Sequence, residues 1–271
     1  MLVAVDTGAT KTLVAIFDQR GAIHDSIRFP TPTATKQYLD ELFDAITTIT
    51  KGKKPTILVV GAPGVIKSGV IKWCGNLPWR DFTLQKRLEE YYPGTRVYLE
   101  NDANLAGLAE TRSLRTIPTS SLYVTISTGI GTGIIEDGKI NSGTRDSEGG
   151  HILTEYDGVV RTWESFASGA AIYKAYGKYA RDITSKRAWK QIADRISRGF
   201  LTIIPLLQPS VIIFGGSMGT YFDQYHEQLE KLLRERLPDY IPCPRLIQAR
   251  HPEHAVIYGC YYYAVDQLST R

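Results

Sequence analysis

Two separated stretches of the sequence share one pattern: an apolar run, a polar turn rich in glycine and threonine, and a second apolar run. The first occupies residues 2–17, with its turn at residues 6–11, and the second occupies residues 122–135, with its turn at residues 127–133. Apolar runs joined by a glycine-bearing polar turn are typical of β-hairpins. Because the plan occurs twice, the sequence predicts two lobes of similar architecture.

Both turns carry groups that suit phosphate. In the first, Asp6 can hold a hydrated magnesium ion, while threonine hydroxyls, backbone N–H groups and Lys11 can meet phosphate oxygens. A Walker A loop is excluded because its two glycines and following lysine are missing. The glycines at 129, 131 and 133 open a strand and not a helix, which argues against a dinucleotide fingerprint. An ordinary hairpin loop is the alternative for the first turn taken alone.

The stretch Glu100-Asn101-Asp102-Ala103-Asn104 stands between an apolar run at residues 96–99 and the start of a helix at residues 105–110. Two carboxylates and two carboxamides packed where a strand meets a helix cost free energy unless something binds them. We therefore expect Asp102 to be a catalytic base and Asn101 to be a substrate ligand.

Other loops supply further candidates. Glu148 and His151 flank two glycines, an arrangement that suits a hydroxyl-rich ligand, although a solvated loop explains it equally well. Gly215 and Gly216 follow a buried strand and would let a flat adenine or ribose approach the backbone. Asn76 lies in a loop between two tryptophans.

Composition excludes several classes of protein. The 271 residues carry 22% charged side chains and a net charge of +4, with no basic stripe, so nucleic acid is not an expected partner. Cys74, Cys243 and Cys260 lie far apart, which argues against a disulfide framework or a cysteine-rich zinc site. No signal peptide or membrane-spanning stretch is found, so a cytoplasmic protein without a membrane partner is expected.

Hydrophobic periodicity predicts alternating strands and helices along the whole chain. Apolar side chains recur at helical spacing in several segments, and short apolar runs bounded by glycine predict buried strands. The predicted helices include residues 38–49, 82–92, 170–180, 192–207, 225–237 and 254–268, and the predicted strands include residues 23–29, 56–60, 210–214 and 245–249.

Taken in order, these motifs resemble those of the ROK family of sugar kinases, within the actin/hexokinase/Hsp70-like ATPase superfamily, over nearly the whole chain. Asp6-x-Gly8-x-Thr10-Lys11 is similar to the first phosphate motif of the family, and Gly129-x-Gly131-x-Gly133 to the second. Gly215-Gly216 resembles the adenosine motif, residues 100–104 the catalytic stretch, and Glu148-x-Gly150-His151 the sugar-binding signature.

The resemblance implies an α/β protein with the two-lobed actin-like ATPase fold, ribonuclease H-like lobes and an active-site cleft between them. The N-terminal lobe would comprise residues 1–106 joined by the C-terminal helix 254–271, and the C-terminal lobe residues 107–253. Dimers are common in the family, so a homodimer is left open.

The resemblance also implies ATP-dependent phosphorylation of a hexose hydroxyl, on C6 of glucose or a related hexose. Asp102 would deprotonate that hydroxyl, and Asp6 would position Mg²⁺ through water. The other sugar hydroxyls would be held by Asn76, Asn101, Glu148, His151 and Glu164. The implied nucleotide-binding residues are Asp6, Gly8, Thr10, Lys11, Thr128, Gly129, Gly131, Thr132, Gly215 and Gly216.

One departure from the family concerns zinc. The family carries a zinc-binding cysteine cluster after its Glu-x-Gly-His signature, but residues 152–163 contain no cysteine. The sequence therefore predicts no zinc site, and Trp163 and Phe166 are candidates to hold the loop by packing.

Several alternatives stay open from the sequence alone. They are a catalytically inactive sensor, another acceptor sugar such as fructose or an N-acetylhexosamine, and polyphosphate as the phosphoryl donor. A dehydratase-activating ATPase of the same superfamily is disfavoured because it would need cysteines for an iron–sulfur cluster.

Overall fold

The computed structural model describes residues 1–251 and 253–269. It divides into two compact units: the first comprises Met1–Ala109 together with the chain from Glu253 onward, and the second runs from Glu110 to residue 251. Of the segments predicted as 254–271 and 107–253, residues 270, 271 and 252 lie outside the described residues.

The strands are short and fall into four sheets. Most of the strands in the two larger sheets contain valine, isoleucine or leucine, which suit a pleated and buried surface. In chain order they are β1 Leu2–Thr7, β2 Lys11–Phe17, β3 Ile23–Pro30, β4 Ile57–Ala62, β5 Val65–Lys67, β6 Val70–Trp73, β7 Arg80–Phe82, β8 Arg96–Asn101, β9 Ser120–Ile126, β10 Ile130–Glu136, β11 Lys139–Ile140, β12 Leu153–Tyr156, β13 Val159–Thr162, β14 Val211–Gly215 and β15 Arg245–Gln248.

The helices follow the predicted apolar stripes in most places. In chain order they are α1 Thr35–Ile49, α2 Leu84–Tyr91, α3 Asp102–Arg112, α4 Glu164–Ala167, α5 Gly169–Tyr176, α6 Lys186–Leu207, α7 Gly216–Gly219, α8 Phe222–Arg236 and α9 Ala255–Ser269.

The sheet of the first unit has the order β3-β2-β1-β4-β8. β1, β2 and β3 are antiparallel, whereas β4 and β8 run parallel to β1. α1 and α2 pack their apolar stripes into the core of this unit, where Tyr38, Leu42, Leu84 and Leu88 are fully buried. The parallel strands end at the same edge of the sheet. The stretch at residues 100–104 spans the end of β8 and the start of α3.

The sheet of the second unit repeats this plan with the order β11-β10-β9-β14-β15. β9 and β10 form the antiparallel hairpin, and β14 and β15 run parallel to β9. The long helices α6 and α8 cover its core. The shared plan of the two lobes, predicted from the repeated hairpin, is therefore confirmed.

Several predicted boundaries are wrong, including the start of the helix expected at residue 105, which begins at Asp102. The second glycine turn ends at Gly129, because Ile130 already pairs with Ile126 in β10. The helix expected over residues 170–180 stops at Tyr176, where Gly177 caps it in the left-handed conformation. The helix expected from residue 82 begins at Leu84, since β7 uses Phe82.

Glu110 ties together the two points at which the chain enters and leaves the second unit. Its side chain is 1% exposed, and its two carboxylate oxygens accept hydrogen bonds of 2.7 Å from the backbone N–H groups of Arg250 and His251. Charge-assisted bonds of this kind are stronger than neutral ones. The two connecting segments are thus joined at one buried carboxylate.

No helix within residues 1–251 and 253–269 is both long enough and apolar enough to span a bilayer.

α9 packs closely against the rest of the first unit. At Gly259 an added Cβ would overlap the backbone carbonyl of Leu105 in α3, so that only glycine permits this approach. The neighbouring positions Ile257 and Cys260 are fully buried. The close contact fixes the C-terminal helix onto the helix that begins with Asp102.

We expect the substitution Gly259→Ala to lower the free energy of unfolding by about 1–3 kcal/mol, the usual cost of overpacking. Without the steric overlap, the same change in a helix would stabilise by up to ~1 kcal/mol. Urea denaturation measures whether the free energy of unfolding falls or rises. The exposed Leu268→Ala on the same helix serves as the control and should stay within ~0.5 kcal/mol of the unchanged protein. A Gly259→Ala protein as stable as the control would contradict the packing described.

Candidate functional site

The β1–β2 turn is closed by its own backbone and held from β3. Gly8 donates its N–H to the carbonyl of Lys11 at 3.0 Å. The hydroxyl of Thr31, directly after β3, donates to the carbonyl of Gly8 at 2.8 Å and shares a hydrogen bond of 2.9 Å with Thr12. Thr31 was not a sequence candidate, because its contact depends on a strand pairing 20 residues away. The turn thus presents the exposed Thr10 and Lys11 from a fixed backbone.

Asp6 lies at the carboxyl end of β1 with its side chain partly buried. Burial raises the pKa of Asp6 to about 7, and the negative charge of Asp102 adds to the rise, while Lys11 and Arg28 oppose it. Two carboxylates that destabilise each other's charge fit a divalent cation, and oxygen ligands suit Mg²⁺. Asp6 therefore fits the predicted role in holding magnesium.

Asp102 is the first residue of α3 and is also partly buried. Burial raises its pKa to about 6, although its bond from the N–H of Ala103, at 2.8 Å, lowers the pKa. At neutral pH the carboxylate is ionised and poorly hydrated. A carboxylate with a pKa near neutrality is well matched to accept a proton.

The residues around Asp102 bind each other. The Oδ1 atom of Asn101 accepts hydrogen bonds from the N–H groups of Ala103 and Asn104, at 2.9 and 3.2 Å, and so caps α3. Its Nδ2 atom donates to the carbonyl of Gly64 at 3.0 Å. Glu100, 2% exposed, accepts from the side chain of Asn104 at 3.0 Å.

This network corrects one expectation. The carboxamides of Asn101 and Asn104 obtain their partners from the protein, so that neither requires a ligand to offset its burial. Glu100 anchors the stretch in the same way. Asp102 is then the member of the stretch whose burial leaves a strongly raised pKa, which singles it out for chemistry.

Asn76 lies exposed in the loop between β6 and β7. Leu77 and Trp79 anchor this loop, with 4% and 1% of their surfaces exposed, and the indole N–H of Trp79 donates to the carbonyl of Thr33 at 2.8 Å. The loop backbone is therefore fixed while the amide of Asn76 is available to solvent.

In the second unit the turn between β9 and β10 comprises Ser127, Thr128 and Gly129, closed by a bond of 2.9 Å from the N–H of Ser127 to the carbonyl of Gly129. Thr128 is exposed at its tip. Gly131 and Thr132 belong to β10. The Thr132 hydroxyl is buried and accepts from the N–H of Gly149 at 3.0 Å, so it holds the loop that carries His151.

The structure brings Glu148, His151 and Glu164 together. The Nε2 atom of His151 lies 3.5 Å from a carboxylate oxygen of Glu164, and its Nδ1 atom lies 3.9 Å from Glu148. The other oxygen of Glu164 accepts the N–H of Ile130 at 3.1 Å, directly after the glycine turn. Three of the five side chains predicted to bind sugar are thus joined to the turn between β9 and β10.

Gly215 and Gly216 stand where β14 reaches the same turn. Gly216 has a φ of +74°, and a Cβ there would lie 2.6 Å from the hydroxyl of Ser127. The N–H of Ser217 donates to that hydroxyl at 3.1 Å. The glycines are therefore required by their close approach to β9 and its turn.

A cavity of about 390 Å³ opens beside these glycines, large enough for a small ligand. The ring centroids of Tyr173 and Tyr179 lie 4.5 Å apart, and the guanidinium carbon of Arg181 lies 5.0 Å from the centroid of the Tyr179 ring. Sequence reasoning missed these residues; the clustering of tyrosines after residue 170 was the available signal. The cavity is lined by Ser127, Thr128, Gly169, Ala170, Tyr173, Tyr179, Ala180, Arg181, Ser217, Met218 and Tyr221.

The chain segment after His151 forms the hairpin β12–β13. It offers no thiolate, and the described part of the chain contains no group of three histidine, cysteine, aspartate or glutamate side chains placed to hold a metal. The donor set does not fit a structural zinc ion, which needs four such ligands.

A sequence model of the ROK family matches residues 2–267. The chain belongs to the ROK family. This ROK protein is 29% identical over 203 residues to a glucokinase from Streptomyces coelicolor, a match that covers 69% of this chain and 62% of the relative. It is 27% identical over 260 residues to a fructokinase from Pediococcus pentosaceus, covering 89% of this chain and 86% of that protein. The chain thus spans less than two thirds of the first relative.

Solved structures establish the fold. A ROK family glucokinase from Streptomyces griseus, in complex with glucose and AMPPNP, superposes with a TM-score of 0.81 at 23% identity over 98% of this chain and 99% of the other. An inorganic polyphosphate/ATP-glucomannokinase from Arthrobacter sp. strain KM gives a TM-score of 0.77 at 25% identity over 98% of both chains. The predicted α/β class and two-domain actin-like ATPase fold are confirmed.

Proposed function

We propose that this ROK protein is a sugar kinase that transfers the γ-phosphoryl group of ATP to a hexose hydroxyl, on C6 of glucose or a related hexose. The observation that carries the proposal is the Asp102 carboxylate, whose pKa is raised to about 6 by burial beside Asp6. Support also comes from relatives named glucokinase and fructokinase and from the family match over nearly the whole chain.

In the proposed reaction Asp102 accepts the proton of the sugar hydroxyl as the sugar oxygen attacks the γ-phosphorus, the bond from that phosphorus to the β–γ bridging oxygen breaks, and ADP leaves. Asn101 and Asn76 bind sugar hydroxyls from the first unit. Asn101 retains one amide hydrogen beyond the one given to Gly64, since a carboxamide carries two. Glu148 and Glu164 accept hydroxyl protons in hydrogen bonds, and His151 donates or accepts. Paired donors and acceptors of this kind orient the sugar, which is a large part of catalysis of phosphoryl transfer.

The phosphates are bound by the two hairpin turns. In the first turn Thr10 supplies a hydroxyl and Lys11 an ammonium group, while Gly8 closes the turn by donating its N–H to the carbonyl of Lys11. In the second turn, residues 127–129 supply hydroxyl and N–H groups but no cation. Gly131 and Thr132 support the second turn from β10. Asp6 would hold Mg²⁺ through water, which would neutralise charge on the phosphate oxygens.

The adenosine is proposed to occupy the cavity beside Gly215 and Gly216. Tyr173 and Tyr179 offer aromatic faces for a base, and Arg181 adds a positive charge. ATP is favoured over polyphosphate because polyphosphate has no base to stack in this cavity. The similarity to a polyphosphate/ATP-glucomannokinase makes polyphosphate the donor to test beside ATP.

We expect Asp102→Asn to lower turnover by roughly two to four orders of magnitude, because an amide cannot accept the hydroxyl proton. Sugar affinity should be largely kept. Direct measurement of the sugar phosphate by mass spectrometry separates transfer from ATP hydrolysis. The matched control is Asp40→Asn, an exposed carboxylate paired with Lys36 on α1, which should retain full turnover. Near-normal turnover in Asp102→Asn would remove Asp102 from the mechanism.

The pH dependence follows from the same carboxylate. Because the pKa of Asp102 is raised to about 6, the base is ionised above that pH and protonated below it. We expect kcat/KM for the sugar to fall about tenfold for each pH unit below ~6 and to level off above it. The residual activity of Asp102→Asn should lack this acidic limb. An unchanged limb in that variant would assign the titration to another group.

The donor is tested by a screen of hexoses and amino sugars, run with ATP and with polyphosphate and measured as product sugar phosphate. Tyr179→Ala should raise KM for ATP about tenfold, since stacking of one base contributes about 1–3 kcal/mol, and should leave KM for polyphosphate unchanged. Tyr240→Ala, at a tyrosine 84% exposed, is the control. Equal changes for both donors would contradict adenine binding at Tyr179.

A further inference from the structure

The short helix α4 carries Glu164 at its first position, yet it has only four residues. A helix of this length is unstable by itself, because fixing the backbone of the first turn costs more free energy than its hydrogen bonds recover. Since the segment before it offers no ligand set for zinc, other contacts must fix the direction in which Glu164 points.

An aromatic pair stands behind α4. The ring of Phe166, in α4, stacks on that of Tyr156, at the end of β12, with centroids 4.6 Å apart and planes inclined by 4°. Phe166 is 1% and Tyr156 9% exposed. The pair joins the β12–β13 hairpin to α4.

Arg195, which α6 contributes from the core of the second unit, holds both members of this pair. Its guanidinium carbon lies 5.0 Å from the centroid of the Tyr156 ring, within range of a cation–π interaction. Its Nη1 atom donates a hydrogen bond of 2.9 Å to the backbone carbonyl of Phe166. That carbonyl lies near the C-terminal end of α4, where a cation is favoured by the helix dipole and by the unpaired carbonyl groups.

The other end of α4 contacts the phosphate turn. Glu164 accepts the N–H of Ile130 at 3.1 Å, and the N–H of Gly169, just after α4, donates to the carbonyl of Ser127 at 2.6 Å. The segment 164–169 therefore meets the turn at both of its ends. A shift of α4 would move the Glu164 carboxylate relative to His151 and to Ile130 together.

We propose that Arg195 is a positioning residue, which fixes α4 through the Phe166 carbonyl and the Tyr156 ring and so sets the Glu164 carboxylate against His151. The kinetic consequence rests on the proposed function of this site in binding sugar. Loss of the guanidinium should let α4 shift, and a displacement of about 1 Å at a substrate-positioning group can cost 10²-fold in rate.

The kinetic test compares Arg195→Met, Arg195→Lys and the control Lys190→Met, an exposed cation on the same helix. We expect Arg195→Met to raise KM for the sugar about 10- to 100-fold and to change KM for ATP less than threefold. Arg195→Lys retains a cation and a donor and should recover part of the loss. The proposal would be overturned if Arg195→Met and Arg195→Lys had equal effects, or if KM for the sugar were unchanged in both of them and in Lys190→Met.

Hydrogen exchange at the Ile130 amide provides a measurement that does not need activity. Because this N–H is held by Glu164, we expect its protection to fall in Arg195→Met and in Tyr156→Ala, and to persist in Tyr156→Phe, which keeps the ring. The comparison is made on proteins whose circular dichroism shows them folded. Unchanged protection of Ile130 in folded Arg195→Met would refute positioning through α4.

The two proposals fail separately. If the unchanged protein forms no sugar phosphate with any acceptor, the proposed function is wrong, and the exchange of Ile130 still decides whether Arg195 positions α4. If sugar phosphate forms and Arg195→Met resembles the Lys190→Met control in both measurements, the sugar kinase stands and the positioning role is rejected.

Discussion

The geometry of the first unit depends on parallel strands that end at one edge of a sheet. In the β1-β4-β8 order, Asp6 is paired with Gly61, and Gly61 with Glu100, so these residues form one row across the sheet. Asp102 follows two residues beyond Glu100. Gly61 adds no side chain between the two acidic ends. The carboxyl ends of parallel strands are where α/β proteins bind ligands, and here the negative charge of Asp102 adds to the rise in the pKa of Asp6.

That arrangement is unfavourable for stability. Burying a carboxylate without a cation costs free energy, and burial raises the pKa of both Asp6 and Asp102. The neighbouring Glu100 is more deeply buried, with 2% of its surface exposed, but it accepts hydrogen bonds from the backbone N–H of Asn101 and the side chain of Asn104. One stretch therefore contains Glu100, whose carboxylate is hydrogen-bonded and fixes the backbone, and Asp102, whose carboxylate has a raised pKa and is the proposed base.

Local sequence patterns predicted the hairpins, the amphipathic helices and the Asp102 stretch, because each depends on neighbours in the chain. They did not predict Thr31 under the first turn, the tyrosines of the second-unit cavity or Arg195 behind α4. Thr31 reaches Gly8 across 23 residues and Arg195 reaches Phe166 across 29, while the cavity joins its tyrosines to the turn at residues 127–128, and a single sequence contains no direct signal for such contacts. The end of the second turn was misplaced for a related reason: Gly131 and Gly133 favour a turn locally, but pairing with β9 keeps them in a strand.

The segment before Glu164 offers no ligand set for zinc, so Glu164, which is proposed to bind sugar, is held in another way. A structural metal fixes a loop by a few strong bonds at one point, whereas here the loop is held by several weak contacts spread over the core. A cation–π contact contributes about 0.5–2 kcal/mol, and a single hydrogen bond contributes about 1 kcal/mol. Trp163, fully buried against Phe200 of α6, and Arg195, also on α6, supply these contacts from the same helix. The position of Glu164 is therefore coupled to the packing of α6, so that changes in the core of the second unit should reach the site without touching the substrate.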